Sequence, residues 1–271
     1  MRVFISIDLE GIACVVTRQD AWADGNNYEL ARRLMTAEAN AAIEGAFEGG
    51  ASEIVVADSH GPMDNLIAED LHEDVWLIRG TNRSGCMMHG IEDGDFDAAM
   101  LVGYHAMAGA RGGGLAHSFS GEVAEIRLNG IAVGEAGFNA AYAGYFNLPV
   151  VMVTGDDRLA AEVEALMPWT ERVIVRYGIN RTAARNLTPK KARQVIRQGA
   201  KRAVERAAAG EMQPLVLETP VRLEAAFTNP SHADRTEVVP GVERLDGVTV
   251  AYTGADMAAV NRAWMAVMRL A

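Results

Sequence analysis

The sequence predicts an α/β fold, a three-layer α/β/α arrangement around a mixed, mostly parallel sheet, with a smaller C-terminal α+β portion. Three observations predict it. Short apolar runs with strand character alternate with longer helical runs along most of the chain. The strand runs are apolar on both faces, as strands covered by helices on both sides are. Gly, Asn, Asp and Pro punctuate the junctions.

Taken in order, RVFISIDLEG reads as the first strand, and NYELARRLMTAEANAAIEGAFEGG as a helix stopped by Gly49 and Gly50. EIVVADSHG and DAAMLVGYHAMAG are strands closed by polar turns. AEIRLNGIAVGE reads as a hairpin turning at Asn129-Gly130, which makes the sheet mixed. FNAAYAGYFN is helical; PVVMVTGDD and RLAAEVEALM form a strand–helix pair with Asp156-Asp157 as the cap; ERVIVRYGI is a strand. LTPKKARQVIRQGAKRAVERAAAG is a basic amphipathic helix, with Thr188 as N-cap and Pro189 in its first turn. Strands near LEAAFT and GVTVAYTG and a last helix, DMAAVNRAWMAVMRL, complete the chain. The polar stretch 178–187 suggests a soft boundary, giving a metal-binding catalytic region at 1–180 and an α+β portion at 181–271.

Composition narrows the function. At 271 residues the chain holds a sizeable core, and 49% hydrophobic with 23% charged residues is ordinary for a globular enzyme. A formal net charge of −11 disfavours a phosphate-backbone partner, so no nucleic acid is expected. Cys14 and Cys86, without CxxC spacing, argue against a disulfide framework and a thiolate zinc site and fit a reducing compartment. Acidic residues follow Arg2 by position 8, unlike a signal peptide, and no apolar run approaches the ~20 residues that span a bilayer. The expectation is a cytoplasmic protein with no membrane partner.

The chemistry lies at strand ends. Asp8 and Glu10 alternate onto one side at the C-terminal end of the first strand, the end at which open α/β sheets bind ligands. The second strand runs into Asp58-Ser59-His60, the third into His105, and the hairpin into Gly134-Glu135. Taken singly, each has a bland reading: Asp8 as a turn acid, His60 as a turn histidine, His105 as a satisfied core histidine. Together, Asp8, Glu10, His60, His105 and Glu135 are too many for one tetrahedral zinc. They fit two metals sharing a carboxylate at about 3.5–4 Å. Cations would also offset the cost of burying the acids. His117 follows the glycines at 112–114 and reads as a proton shuttle or oxyanion donor on a loop, or else as a surface histidine. The glycines lack the GK[ST] ending of a phosphate loop. A rival reading makes Ser59 a hydrolase nucleophile, since ADSHG falls one glycine short of the nucleophile elbow. His72 and His89 read as exposed, and Asn229, Ser231 and His232 as a polar turn.

The segments VFISIDLEGI, VVADSHGPMDN, LVGYHAMAG, GLAHSFS and NGIAVGEAGFNAAYAGYFNLPVVMVTGDDR, in this order, resemble the DppA-type D-aminopeptidase family over about residues 1–190. The resemblance implies a zinc-dependent peptidase that removes N-terminal D-amino acids, notably D-Ala, from short peptides. It implies a binuclear zinc site, two ions per subunit, held by Asp8, Glu10, His60, His105 and Glu135. His117 would be catalytic, a metal-bridged hydroxide the nucleophile, and the assembly a homodecamer with an inner channel. The donor set also suits manganese or cobalt. Departures in GPMDN and in the glycine loop bear on substrate choice. A metal-dependent amidase or esterase of the same fold and a non-enzymatic metal binder are the alternatives, separable by D- and L-alanine substrates.

Overall fold

The computed structural model describes residues 1–271. Its elements are β1 (Arg2–Ile7), α1 (Arg18–Ala21), α2 (Tyr28–Glu48), β2 (Glu53–Asp58), β3 (Trp76–Ile78), β4 (Ala98–Val102), β5 (Val123–Leu128), β6 (Ile131–Ala132), α3 (Glu135–Tyr145), β7 (Val150–Asp156), α4 (Asp157–Leu166), β8 (Glu171–Asn180), β9 (Ala183–Asn186), α5 (Pro189–Ala208), β10 (Val221–Phe227), α6 (Pro230–Thr236), β11 (Val242–Arg244), β12 (Thr249–Gly254) and α7 (Met257–Leu270).

One sheet has seven strands in the order β3-β2-β1-β4-β7-β8-β9, parallel throughout except for β9. The chain moves outward from β1 through β2 to β3, then returns to β4 on the other side of β1. That reversal splays the connections on either side of β1 and β4 and opens a crevice above their C-terminal ends. Apolar residues on alternate faces of the strands feed two cores. Val3, Ile5, Ile7, Ile54 and Met100 pack against α2 and α5. Phe4, Val55, Ala99 and Leu101 join α3, α4, α7 and the second sheet. The α/β class with a mostly parallel, mixed sheet is therefore as the sequence predicts.

The second sheet, β11-β12-β10-β5-β6, is antiparallel throughout. Its central strand β10 alternates buried Val221, Leu223, Ala225 and Phe227 with half-buried neighbours, the pattern of a sheet with one face on a core. Three expectations are corrected here. The Asn129-Gly130 hairpin forms as β5–β6 but belongs to this second sheet; the mixed character of the first comes from β9. The stretch 178–187 is the β8–β9 hairpin at the edge of the first sheet, not a boundary. The division expected at 180/181 does not coincide with the division between sheets: β9 and α5 complete the first, whereas β5 and β6 join β10–β12 in the second.

Candidate metal centre

The six candidate residues converge above β1 and β4. The first strand ends at Ile7, so Asp8 and Glu10 lie in the turn that follows it rather than alternating within the strand. Backbone bonds hold that turn: Asp8 N–H donates to Val102 O at 2.8 Å and Gly11 N–H to Gly103 O at 2.7 Å. Gly103 has φ +68°, and a Cβ there would lie 2.3 Å from Asp8 O, so only glycine lets the chain after β4 pass this close and carry His105 beside Asp8. His60 follows β2, and Glu135 is the first residue of α3, because β6 stops at Ala132.

All five expected ligands are buried: Asp8 and Glu10 at 2% exposure, His105 at 1%, Glu135 at 4% and His60 at 8%. His60 Nδ1 lies 2.7 Å from Glu10 Oε2 and 3.4 Å from Asp8 Oδ1. His105 Nε2 lies 3.4 Å from Asp8 Oδ2 and 3.4 Å from Glu135 Oε1. His117 stacks on His105 with ring centroids 4.1 Å apart, and its Nε2 is 3.6 Å from Glu135 Oε1 and 3.9 Å from Glu10 Oε1.

Each histidine ties its other ring nitrogen to a backbone carbonyl. His60 Nε2–H donates to Ala21 O at 2.7 Å, His105 Nδ1–H to Ala106 O at 3.0 Å, and His117 Nδ1–H to Leu115 O at 2.9 Å. A carbonyl only accepts, so each of these nitrogens carries its N–H, and the second ring nitrogen of each histidine faces the carboxylates, where it could give a metal its lone pair once deprotonated. Metal-ligating histidines are oriented in this way. Asp8 Oδ2 and His105 Nε2, which face each other, are buried without a hydrogen-bond partner. Such a set is unfavourable unless positive charge enters it. Donor atoms of Asp8, Glu10 and His105, and of His105, His117 and Glu135, each lie within 4.8 Å of one another. His105 is common to both groups, and the nitrogen–oxygen donors suit zinc.

The same demand for charge appears in the acid–base balance. Burial lowers the pKa of His105, but Glu135, Asp8 and Glu10 outweigh it and push it up to about 10. His60 is likewise raised well above the usual range, its burial outweighed by Glu10 and Asp8. Burial, reinforced by Glu10, raises Asp8. Glu10 and Glu135 are lowered because His60, His105 and His117 overcome their desolvation. Burial and the nearby His105 lower His117, keeping it neutral.

A cavity of about 600 Å³ adjoins the cluster, lined by Asp8, Glu10, His60, His117 and Glu135 and walled by apolar Trp22, Met63, Cys86, Met87 and Phe119. The Phe119 N–H donates to Glu135 Oε1 at 2.6 Å, tying the loop after His117 to α3. Ser59 lines this cavity too, but its hydroxyl partners are Ser6 Oγ and the carbonyls of Ala57 and Met87. No histidine is placed to take its proton, so the serine nucleophile reading is withdrawn. Asn229 caps α6 and His232 bonds Ala271 O, away from the cavity.

Sequence reasoning missed Arg176 and the cavity wall. The signal for Arg176 was an arginine in the middle of the apolar run of ERVIVRYGI, after Val175; burial is complete, and it donates to Val15 O and Gly114 O. The wall residues carry no sequence signal, because apolar residues of a cavity and of a core look alike.

Residues 1–266 match the family model Peptidase_M55, described as D-aminopeptidase. A D-aminopeptidase of Bacillus subtilis (strain 168) is 36% identical over 274 residues, covering 100% of this chain and 98% of that protein. The solved structure of a zinc-dependent D-aminopeptidase, DppA of Bacillus subtilis, described as a self-compartmentalizing protease, superimposes with a TM-score of 0.95 at 34% identity, covering 100% of this chain and 97% of that one.

Proposed function

The chain belongs to the Peptidase_M55 family of D-aminopeptidases, and from that premise we propose that it is a zinc-dependent metallo-aminopeptidase that removes N-terminal D-amino acids, D-Ala above all, from short peptides. Asp8, Glu10, His60, His105 and Glu135 hold two zinc ions, and His117 is the catalytic residue. The observation that carries this reading is the set of three imidazoles, each oriented by a backbone carbonyl, turned toward three buried carboxylates at the wall of a cavity.

When bound, zinc supplies Lewis-acid polarisation of the peptide carbonyl and a lowered pKa for bound water. The protein's own groups do the rest. The carbonyls of Ala21 and Ala106 hold the ligand imidazoles in orientation. Trp22, Met63, Met87 and Phe119 exclude bulk water from the cavity and receive the apolar parts of the substrate. His117, neutral with Nδ1–H held by Leu115 O, presents an unprotonated Nε2 to the site. That nitrogen takes a proton during attack and delivers it to the leaving amine. Stacking on His105 keeps the ring plane fixed while the charge changes.

The same reading makes the protein a homo-oligomer, supported by likeness to a self-compartmentalizing relative, and a decamer as the family resemblance implies. No helix is long and apolar enough to cross a membrane, and the free Cys14 and Cys86 support a cytoplasmic location.

The test is metal content per chain, measured alongside hydrolysis of D-Ala-D-Ala and L-Ala-L-Ala with and without chelator. About two zinc ions per chain and chelator-sensitive release of D-Ala alone are expected. Two ions with release from neither dipeptide would replace the aminopeptidase by an amidase or esterase of the same fold. Binding without turnover of any amide or ester would leave a metal-binding protein.

A further inference from the structure

We propose that Arg176 is a positioning residue for His117: its guanidinium bridges the turn carrying Asp8 and Glu10 to the loop carrying His117 and fixes which ring nitrogen faces the carboxylates. The proposal rests on the reading of His117 as the proton-handling group.

Arg176 lies in β8 with 0% exposure, an unusual place for a guanidinium. Nη1 donates to Val15 O, at the far end of the turn that begins with Asp8. Nη2 donates to Gly114 O at 2.9 Å, three residues before His117, and lies 3.8 Å from Asp156 Oδ2. The same Asp156 Oδ2 accepts the Gly114 N–H at 3.0 Å, while Oδ1 accepts the Arg158 and Leu159 N–H groups at the start of α4. Gly114 is thus held at both of its polar groups by one buried ion pair. A Cβ at Gly114 would stand 3.1 Å from the guanidinium carbon, so an alanine there would press on the bridge.

The constraint passes along the chain. Leu115 adopts φ +55° with its N–H on Arg181 O at 2.8 Å, a conformation that a leucine keeps only when its neighbours are fixed. The Leu115 carbonyl then accepts His117 Nδ1–H. Releasing Gly114 lets that carbonyl turn, and His117 loses the partner that selects its tautomer. A lysine keeps the charge but lacks the planar fork that spans two carbonyls.

The test is a double-mutant cycle on the zinc-loaded, full-length protein, measuring kcat and KM on D-Ala-D-Ala for wild type, Arg176→Lys, His117→Ala and the pair. Zinc per chain is measured throughout. Arg176→Lys is expected to lower kcat about 10–100-fold with KM nearly unchanged and zinc retained. In the His117→Ala background it should add no further loss. A full additional loss there, or a loss of kcat that follows lost zinc, overturns the proposal. Imidazole ¹⁵N spectra of the zinc-free protein give a second readout: His117 should be the Nδ1–H tautomer in wild type and mixed in Arg176→Lys. An unchanged tautomer in the variant overturns the proposal as well. If Arg176→Lys does not fold, Gly114→Ala displaces the same contact and is read by the same criteria. If His117→Ala turns over at the wild-type rate, the catalytic reading fails, and the ¹⁵N spectra alone decide on positioning.

Discussion

The two sheets use polar residues in opposite ways. The seven-stranded sheet buries Ser6, Asp58, Thr154, Asp156 and Arg176 within its strands, and Asp8, Glu10, His60 and His105 just beyond them. The strands of the five-stranded sheet bury no polar side chain; Arg222 and Glu224 stay half-buried on the face opposite Leu223 and Ala225. Parallel strands all end at the same edge, where their polar termini can satisfy one another or hold a ligand. Antiparallel strands end at alternate edges, and this sheet serves to bury one apolar face. Chemistry should therefore fail in the first region without unfolding, and stability should fail in the second without loss of chemistry.

His105→Ala should have the largest effect. Its Nε2 belongs to both groups of donor atoms, so bound zinc should drop and kcat/KM should fall by about 10³-fold. Metal analysis with initial rates checks it; full zinc content in the variant would break the shared-ligand assignment. Leu223→Ala probes the opposite region. Its removal from a 2% exposed site should cost about 2–5 kcal/mol in denaturant unfolding, with zinc per folded chain and kcat unchanged. Loss of zinc there would mean that the two regions are not separable. His117→Ala should keep zinc and lower kcat by about 10²-fold, read by steady-state kinetics alongside metal content. A variant that loses zinc instead would make His117 a ligand, in keeping with its place beside His105 and Glu135.

Glu38→Gln should have the smallest effect. Glu38 is a buried acid of the first region that faces no histidine; it accepts the Ala13 N–H at 3.0 Å, and burial pushes its pKa from 4.5 up to about 8. Between those values the folded protein holds a proton that the unfolded chain has released, so this group makes stability fall as pH rises from 4.5 to 8. Glutamine, which does not titrate, should flatten that slope. Unfolding measured at intervals across this window checks the sign; an unchanged slope would place the proton elsewhere.

Much of this centre was legible because its residues break local rules. Carboxylates at 8 and 10 after a β-branched run, and histidines where EIVVA and AAMLVGY end, are polar residues at the end of buried strands, and local pattern exposes them. The likeness to D-aminopeptidases rests on those same segments. Glu135 was found by its neighbours in sequence, although it opens a helix rather than closing a strand. Residues 178–187 misled because an edge hairpin and a linker share a polar composition.

The sequence by itself determined the alternation of strands and helices and the cap at Asp156, because each depends on spacing over a few residues; the six polar residues stood out as candidates at the ends of apolar runs and in the resemblance. Tertiary structure decided the rest. Strand order placed β4 beside β1 and so His105 beside Asp8. A long-range bond to Ala21 O oriented the ring of His60, and a guanidinium 161 residues from Val15 in sequence closed the frame around His117. Periodicity reports which face a residue occupies. It carries no term for partners that meet only after the sheet has assembled.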